Sequence, residues 1–216
     1  SNPFHESEGS PIFAGALFCA TCHDVRELNG LNLERPYEEW LESPAAEAGQ
    51  VCQDCHMPST QGPAAEGGPT RTIHDHRFLG VDVPLLPGWL DAAEEESLRA
   101  DVQGLLQGAG RVELAAEPVR RGEQVDLYVT VANDVAAHAL PTGTTMIRQL
   151  WVEILVDDAA GNRLYATGDL DANGDIRNYW SELDPYGDDD LILLSSGLLG
   201  PEGQPELFPW RATEHR

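Results

Sequence analysis

All four cysteines of this chain fall in two copies of one pattern, Cys-x-x-Cys-His: CATCH at 19–23 and CQDCH at 52–56. Thiols at that spacing can share a zinc ion, cycle between dithiol and disulfide, or each bond a vinyl side chain of a haem. The zinc reading would gather Cys19, Cys22, Cys52 and Cys55. However, the two pairs stand 29 residues apart, wider than a zinc ribbon uses, and zinc gives no reason for a histidine after each pair. A thioredoxin-like motif expects a βαβ context, which is missing here. Disulfides between the motifs leave the histidines unexplained. With 7 histidines in 216 residues, two such placements by chance come to about one in a thousand. The haem reading uses every residue of the pattern. The four cysteines become thioether sulfurs, and His23 and His56 lie under the irons as proximal ligands. Two haem c groups are therefore expected.

The rest of the composition narrows the setting. The formal net charge is −24, and all 13 basic residues are arginine. A field of that sign disfavours nucleic acid and favours cationic or metal partners. Because the acids are spread along the chain, they also read as a solubilising surface. No apolar run is long enough to span a membrane. No signal peptide stands at Ser1, as expected of a mature exported chain or a trimmed one.

Elements must position these motifs. Residues 1–80 are rich in turns and hold five of the seven histidines. A helix is expected after Asp91, which can cap it, with Glu94, Glu95 and Glu96 in its first turns. Leu98, Val102, Leu105 and Leu106 form its apolar stripe, and Gly108 and Gly110 end it. From Arg111 the apolar period changes to two. Residues 122–133 and 148–157 read as strong strands, and 111–117, 163–168 and 191–196 as weaker ones. The expected architecture is mixed: a loop-rich helical haem domain with its linker helix over 1–110, then an antiparallel immunoglobulin-like β-sandwich over 111–216 with no obvious closing strand before Arg216.

CQDCHMP at 52–58, preceded by YEEWLESPAAEAGQV, resembles the multihaem c-type cytochromes of bacteria. In that family a Glu-Trp-x-x-Ser-Pro helix often leads into Cys-Gln-x-Cys-His-Met-Pro. HRFLG at 76–80 is similar to the His-x-Phe segment that often follows. HALPTG at 138–143 and the run from Arg148 are similar to the β-domain of one branch. The resemblance covers most of residues 1–180 and implies extracytoplasmic electron transfer with two histidines on each iron. Larger members carry more haem motifs than the two found here.

Each iron then needs a sixth ligand from His5, His74, His76, His138, His215, Met57 or Met146. Met57 follows His56 directly and cannot reach the opposite face of the same haem. Met146 reads as core packing and His215 as an exposed residue near the end. The resemblance favours His76, and it sets the turn bearing His138, stiffened by Pro141 and Gly143, near the haems. His76 and His138 are the expected distal ligands, with His5 and His74 in reserve. His5 could also serve a neighbouring chain.

DLDANGDI at 169–176 matches the start of a calcium loop through Asp169, Asp171, Asn173 and Asp175, with Gly174 at the sharp turn. Trp180 stands where the closing glutamate belongs, so an acidic turn is the preferred reading. The chain is expected to be a periplasmic or extracellular electron carrier whose redox partners are other cytochromes. A subunit of a larger multihaem assembly or filament, and a haem enzyme with one open iron, are the rival readings.

Overall fold

The computed structural model describes residues 9–120 and 122–216. In chain order its elements are α1 (Ala16–Ala20), β1 (Val25–Arg26), β2 (Asn32–Glu34), α2 (Pro36–Leu41), α3 (Pro44–Glu47), α4 (Cys52–His56), β3 (Ser59–Pro63), β4 (Thr70–His74), α5 (Ala92–Gln107), β5 (Gly110–Ala116), β6 (Leu127–Asn133), β7 (Leu150–Val152), β8 (Ile154–Asp157), β9 (Arg163–Thr167), β10 (Ile192–Leu194), β11 (Leu198–Leu199), β12 (Pro205–Glu206) and β13 (Glu214–His215). The architecture is mixed, with a few helices and several small antiparallel sheets.

The chain divides into two compact units. The first comprises residues up to 24 together with 35–139, and the second 25–34 together with 140–216. The hairpin β5–β6 therefore belongs with the cysteine motifs, and the β1–β2 excursion with the later strands.

In the first unit, short helices follow their local signals. Pro36 and Pro44 open α2 and α3, where a missing N–H costs nothing. Ser43 caps α3 by accepting from the Ala46 N–H at 3.3 Å. Asp91 and Glu94 form the capping box that starts α5. Leu98 and Val102 on that helix are buried against Leu79, with Val83, Leu90 and Leu105 around them. β3 and β4 form a hairpin that the turn-rich composition of 1–80 did not announce.

In the second unit, the run 148–157 is two strands rather than one. β7 pairs with β10 and β8 with β9. The break sits where Gly168 presses on the chain: at its φ of 72°, a Cβ would stand 2.2 Å from the Val152 carbonyl oxygen. The Gly168 N–H donates to Asp188, and its carbonyl accepts from the Trp151 indole at 2.9 Å. The sheets of the described residues have two or three strands each, short of the broad layers of a sandwich. Met146 packs on the small cluster of Leu33, Leu198 and Ala212, the role its sequence position suggested.

The apolar core is thin. Among the described residues no aromatic ring is buried, and the largest buried aliphatics are leucine and isoleucine. The chain exposes 15946 Å², whereas two separate folded units of half its mass would expose about 12,000 Å². Among the described residues, no helix is long and apolar enough to cross a membrane.

Candidate functional site

Both Cys-x-x-Cys-His motifs lie in the first unit, each on a short helix. Cys19 is on α1, and the N–H groups of Cys22 and His23 both donate to its carbonyl, at 3.1 and 2.9 Å. This turn brings the second sulfur and the histidine back beside the first. α4 is the second motif itself. Asp54 accepts from the Val51 N–H at 2.9 Å and fixes where that helix begins. The Glu-Trp-x-x-Ser-Pro stretch has a mechanical role in this delivery. Trp40 stacks on Tyr37 and donates its indole N–H to the Gln50 carbonyl at 2.9 Å, while the Ser43 hydroxyl donates to the Trp40 carbonyl at 2.6 Å. Together they fold the α2–α3 elbow back onto the chain entering CQDCH.

The two motifs are joined. Gln53 is buried, and its side-chain amide donates to the Phe13 and Gly15 carbonyls, both at 3.1 Å. Cys52 has the Cys19 thiol as a hydrogen-bonding neighbour. Burial first, and then that neighbour, push the Cys52 thiol up to about 11. All four cysteines are free thiols; Cys22 and Cys55 are exposed, and Cys19 and Cys52 half-buried. Among the described residues no group of three or more His, Cys, Asp and Glu side chains is gathered as a metal site.

His56 faces His138. Their ring centroids are 6.2 Å apart and their planes 21° from parallel. Each ring is held from behind. His56 Nδ1 donates to the Leu79 carbonyl, and Leu79 returns its N–H to the His56 carbonyl at 3.0 Å. His138 Nδ1 donates to the Ala139 carbonyl at 2.9 Å. With both Nδ1 atoms so engaged, Nε2 is left as the lone-pair nitrogen of each ring, the usual arrangement of a metal-bound histidine.

The loop carrying His138 is built by Asn133. Its side chain donates to the His138 carbonyl at 2.8 Å and accepts from the Val135 N–H at 2.9 Å. Glu39 accepts from the Ala139 N–H at 3.0 Å, and the Ala45 N–H donates to the Ala136 carbonyl at 3.0 Å. The elbow that delivers His56 thus also holds the loop of His138.

His56 and His138 are close enough for both rings to hold one metal-containing group, were it bound between them. His138 thereby falls in the same unit as His56 rather than in a separate β-domain.

The remaining candidates are less tightly arranged. His74 ends β4 and donates Nδ1 to the Met57 carbonyl at 2.9 Å. His76 is exposed and stands edge-on to Phe78 at 5.9 Å. Beside it, burial works to raise Asp75, but hydrogen bonds from the Arg77 N–H and guanidinium outweigh it and hold the carboxyl below its usual range. His23 is exposed. His5 lies outside the described residues. Met57 follows α4 as its cap, with its N–H on the Gln53 carbonyl.

His215 departs from expectation. It is half-buried, with Nδ1 on the Asn32 carbonyl at 3.0 Å and Nε2 against Ser196 Oγ at 2.6 Å and Thr145 Oγ1 at 3.1 Å. Both nitrogens are occupied, so it clasps the second unit.

In the 169–175 loop, Asp171 accepts from the Asn173 and Asp175 N–H groups at 2.8 and 3.0 Å and from the Ser181 hydroxyl at 2.6 Å. These bonds, the Ser181 one first, hold its carboxyl below the usual range. Asp169 is paired with Arg177 at 2.6 Å. The loop is a closed acidic turn.

Sequence reasoning did not anticipate Leu79, Asn133, Glu39 or Gln53. Asn133 left a local signal, as an Asn-Asp pair ending a strand, while Glu39, Gln53 and Leu79 stood within quoted motifs that gave no hint of their partners. No family model, curated protein or solved structure matches this chain.

Proposed function

We propose that this chain is an extracytoplasmic electron carrier with two covalently attached c-type haems, of the multihaem cytochrome kind its motifs resemble. The observation that carries the reading is the His56–His138 pair, close enough to hold one iron between the rings and braced at both Nδ1 atoms. When bound, haem supplies a one-electron ferric/ferrous couple. The chain's own residues do the rest. Cys52 and Cys55 hold one group, and Cys19 and Cys22 the other. His56 and His138 close one iron to exogenous ligands. The Leu79 and Ala139 carbonyls fix the tautomers and make the imidazoles better donors. His23 serves the other iron, with His76 as its expected partner and His74, oriented by Met57, in reserve.

The bonds from Gln53 to the Phe13 and Gly15 carbonyls tie the second motif to the chain entering the first, which suits passage of an electron from one haem to the next. The thin aliphatic core supports the same reading, since two porphyrins would add the large apolar bodies that the polypeptide does not bury. Zinc would give no role to the histidine that follows each cysteine pair. Imidazole on both faces and the acidic field favour the ferric state, so low potentials follow. The small antiparallel sheets of the second unit are read as pieces of an immunoglobulin-like sandwich, and other cytochromes as the redox partners. In the 169–175 loop calcium would have to break the Asp169–Arg177 pair, so the acidic turn is the reading we hold.

The test is the mass and colour of the chain exported from a host that matures c-type cytochromes. The expected product carries two haems that survive denaturation, and Cys→Ala changes within one motif remove one haem and leave the other. A colourless product with the mass of its amino acids overturns the reading.

A further inference from the structure

Resting on the two-haem reading above, we propose that Gln53 is a positioning residue. Its amide sets how the helices of the two Cys-x-x-Cys-His motifs are turned toward each other, and with them the exchange of an electron between the haems. Gln53 stands between the two cysteines of the second motif, on α4, and is 7% exposed. Its Nε2 donates to two carbonyls of the chain entering the first motif, those of Phe13 and Gly15, at 3.1 Å each. Gly15 stands at the N-cap of α1, and its carbonyl also accepts from the N–H of Phe18, the residue before Cys19, at 3.2 Å. The Phe13 ring meets the Phe18 ring edge-on, with centroids 5.0 Å apart. One planar amide thus grips both ends of the bend from which α1 starts. An amide nitrogen has two N–H donors in fixed directions, so the pair of bonds sets orientation as well as distance.

The other atom of the amide singles this residue out. Oε1 is buried and has no hydrogen-bond partner among the described residues. An orphaned buried acceptor loses about as much as two neutral hydrogen bonds gain, so the amide adds little net stability. A methionine would fill the same space without the orphan. What the amide supplies and an apolar side chain lacks is a defined direction between α4 and the start of α1.

The experiment is Soret circular dichroism of the full, haem-loaded chain. From its spectrum are subtracted those of two one-haem variants, Cys19→Ala with Cys22→Ala and Cys52→Ala with Cys55→Ala. The difference reports how the two porphyrins are oriented to each other, and in the parent a two-signed band is expected. Gln53→Met removes both bonds and the orphaned oxygen, whereas Gln53→Glu sets a carboxylate against the two carbonyls. Each should shrink the difference band at least about twofold and slow electron equilibration between the haems after pulsed reduction at least about tenfold, glutamate more than methionine. Haem content, by mass, and the low-spin spectrum should stay as in the parent, and the Gln53→Met melt should stay close to it. A difference band and an equilibration rate unchanged in both variants overturn the proposal and leave the two-haem reading standing. A parent with fewer than two haems overturns both. A parent with two haems and no difference band overturns the proposal alone. So does a Gln53→Met chain that loads fewer haems or melts far below the parent, by making Gln53 a residue of maturation or folding.

Discussion

Replacing His138 by alanine should open one iron and leave the other closed. On the proposed function, His56 and His138, whose ring centres are 6.2 Å apart, share one iron, so removing one ring would leave it with His56 alone. The effect has a fixed stoichiometry. Half of the total haem should turn from low to high spin, and carbon monoxide should bind at about one per two haems, against near zero in the parent. Added imidazole should refill the half-buried position and restore the low-spin spectrum. The change should be tolerated by the fold. The side chain makes one hydrogen bond, to the Ala139 carbonyl, and losing it costs about 1 kcal/mol. The loop stays anchored through Asn133, Glu39 and Ala45. Spectra in the oxidised and reduced states, carbon monoxide titration and a circular dichroism melt make up the assay. A fully low-spin spectrum that ignores carbon monoxide, on a protein with its melt unchanged, refutes the pairing of His56 with His138.

Asn133→Ala should remove both bonds that shape the His138 loop, lowering stability by about 1–3 kcal/mol in urea unfolding and giving a mixed-spin spectrum although no ligand is deleted. Gly168→Ala should be among the most damaging single changes in the second unit, by at least about 3 kcal/mol, because a Cβ there meets the Val152 backbone at a φ of 72°; a melt within a few degrees of the parent would contradict this. Acid should unfold the second unit through Asp188. Its side chain is 3% exposed; burial alone would raise its carboxyl. The N–H of Gly168, the Thr167 hydroxyl, the Asp190 N–H and the Arg177 charge outweigh burial and hold it below its usual range. A lowered folded value means the contribution is fully present above about pH 4, the unfolded value, and is lost as pH falls through the folded one. Asp188→Asn should therefore be less stable than the parent at neutral pH and show a shallower stability slope below about pH 4.

The turns that carry the motifs were legible in the sequence because their signal is local: each Cys-x-x-Cys-His falls within about one turn of chain. α5 was legible for a similar reason, since Asp91, Glu94 and Gly108 write its ends and Leu98 and Val102 its buried stripe in local code. The distal site is different in kind. His138 gains its place from Glu39, about a hundred residues earlier, and from Ala45 meeting Ala136, contacts that leave no local periodicity. The run 148–157 misled for the opposite reason. Its alternation is real, but Gly168 approaches the Val152 backbone so closely that β7 and β8 take different partners, and no pattern within the run encodes that approach.

His215 makes the same point from the far end of the chain. Its sequence neighbours mark it as a surface residue, yet three partners from Asn32, Thr145 and Ser196 occupy both its nitrogens. What separates it from His138 is the ring's surroundings: hydroxyls claim Nε2 of His215, whereas the His138 ring lies stacked 6.2 Å from a second imidazole. A criterion for the proposed ligands follows: a histidine with only Nδ1 taken by backbone keeps Nε2 for a metal. By that criterion His74, whose Nδ1 is on the Met57 carbonyl, is a stronger rival to His76 than the sequence alone made it.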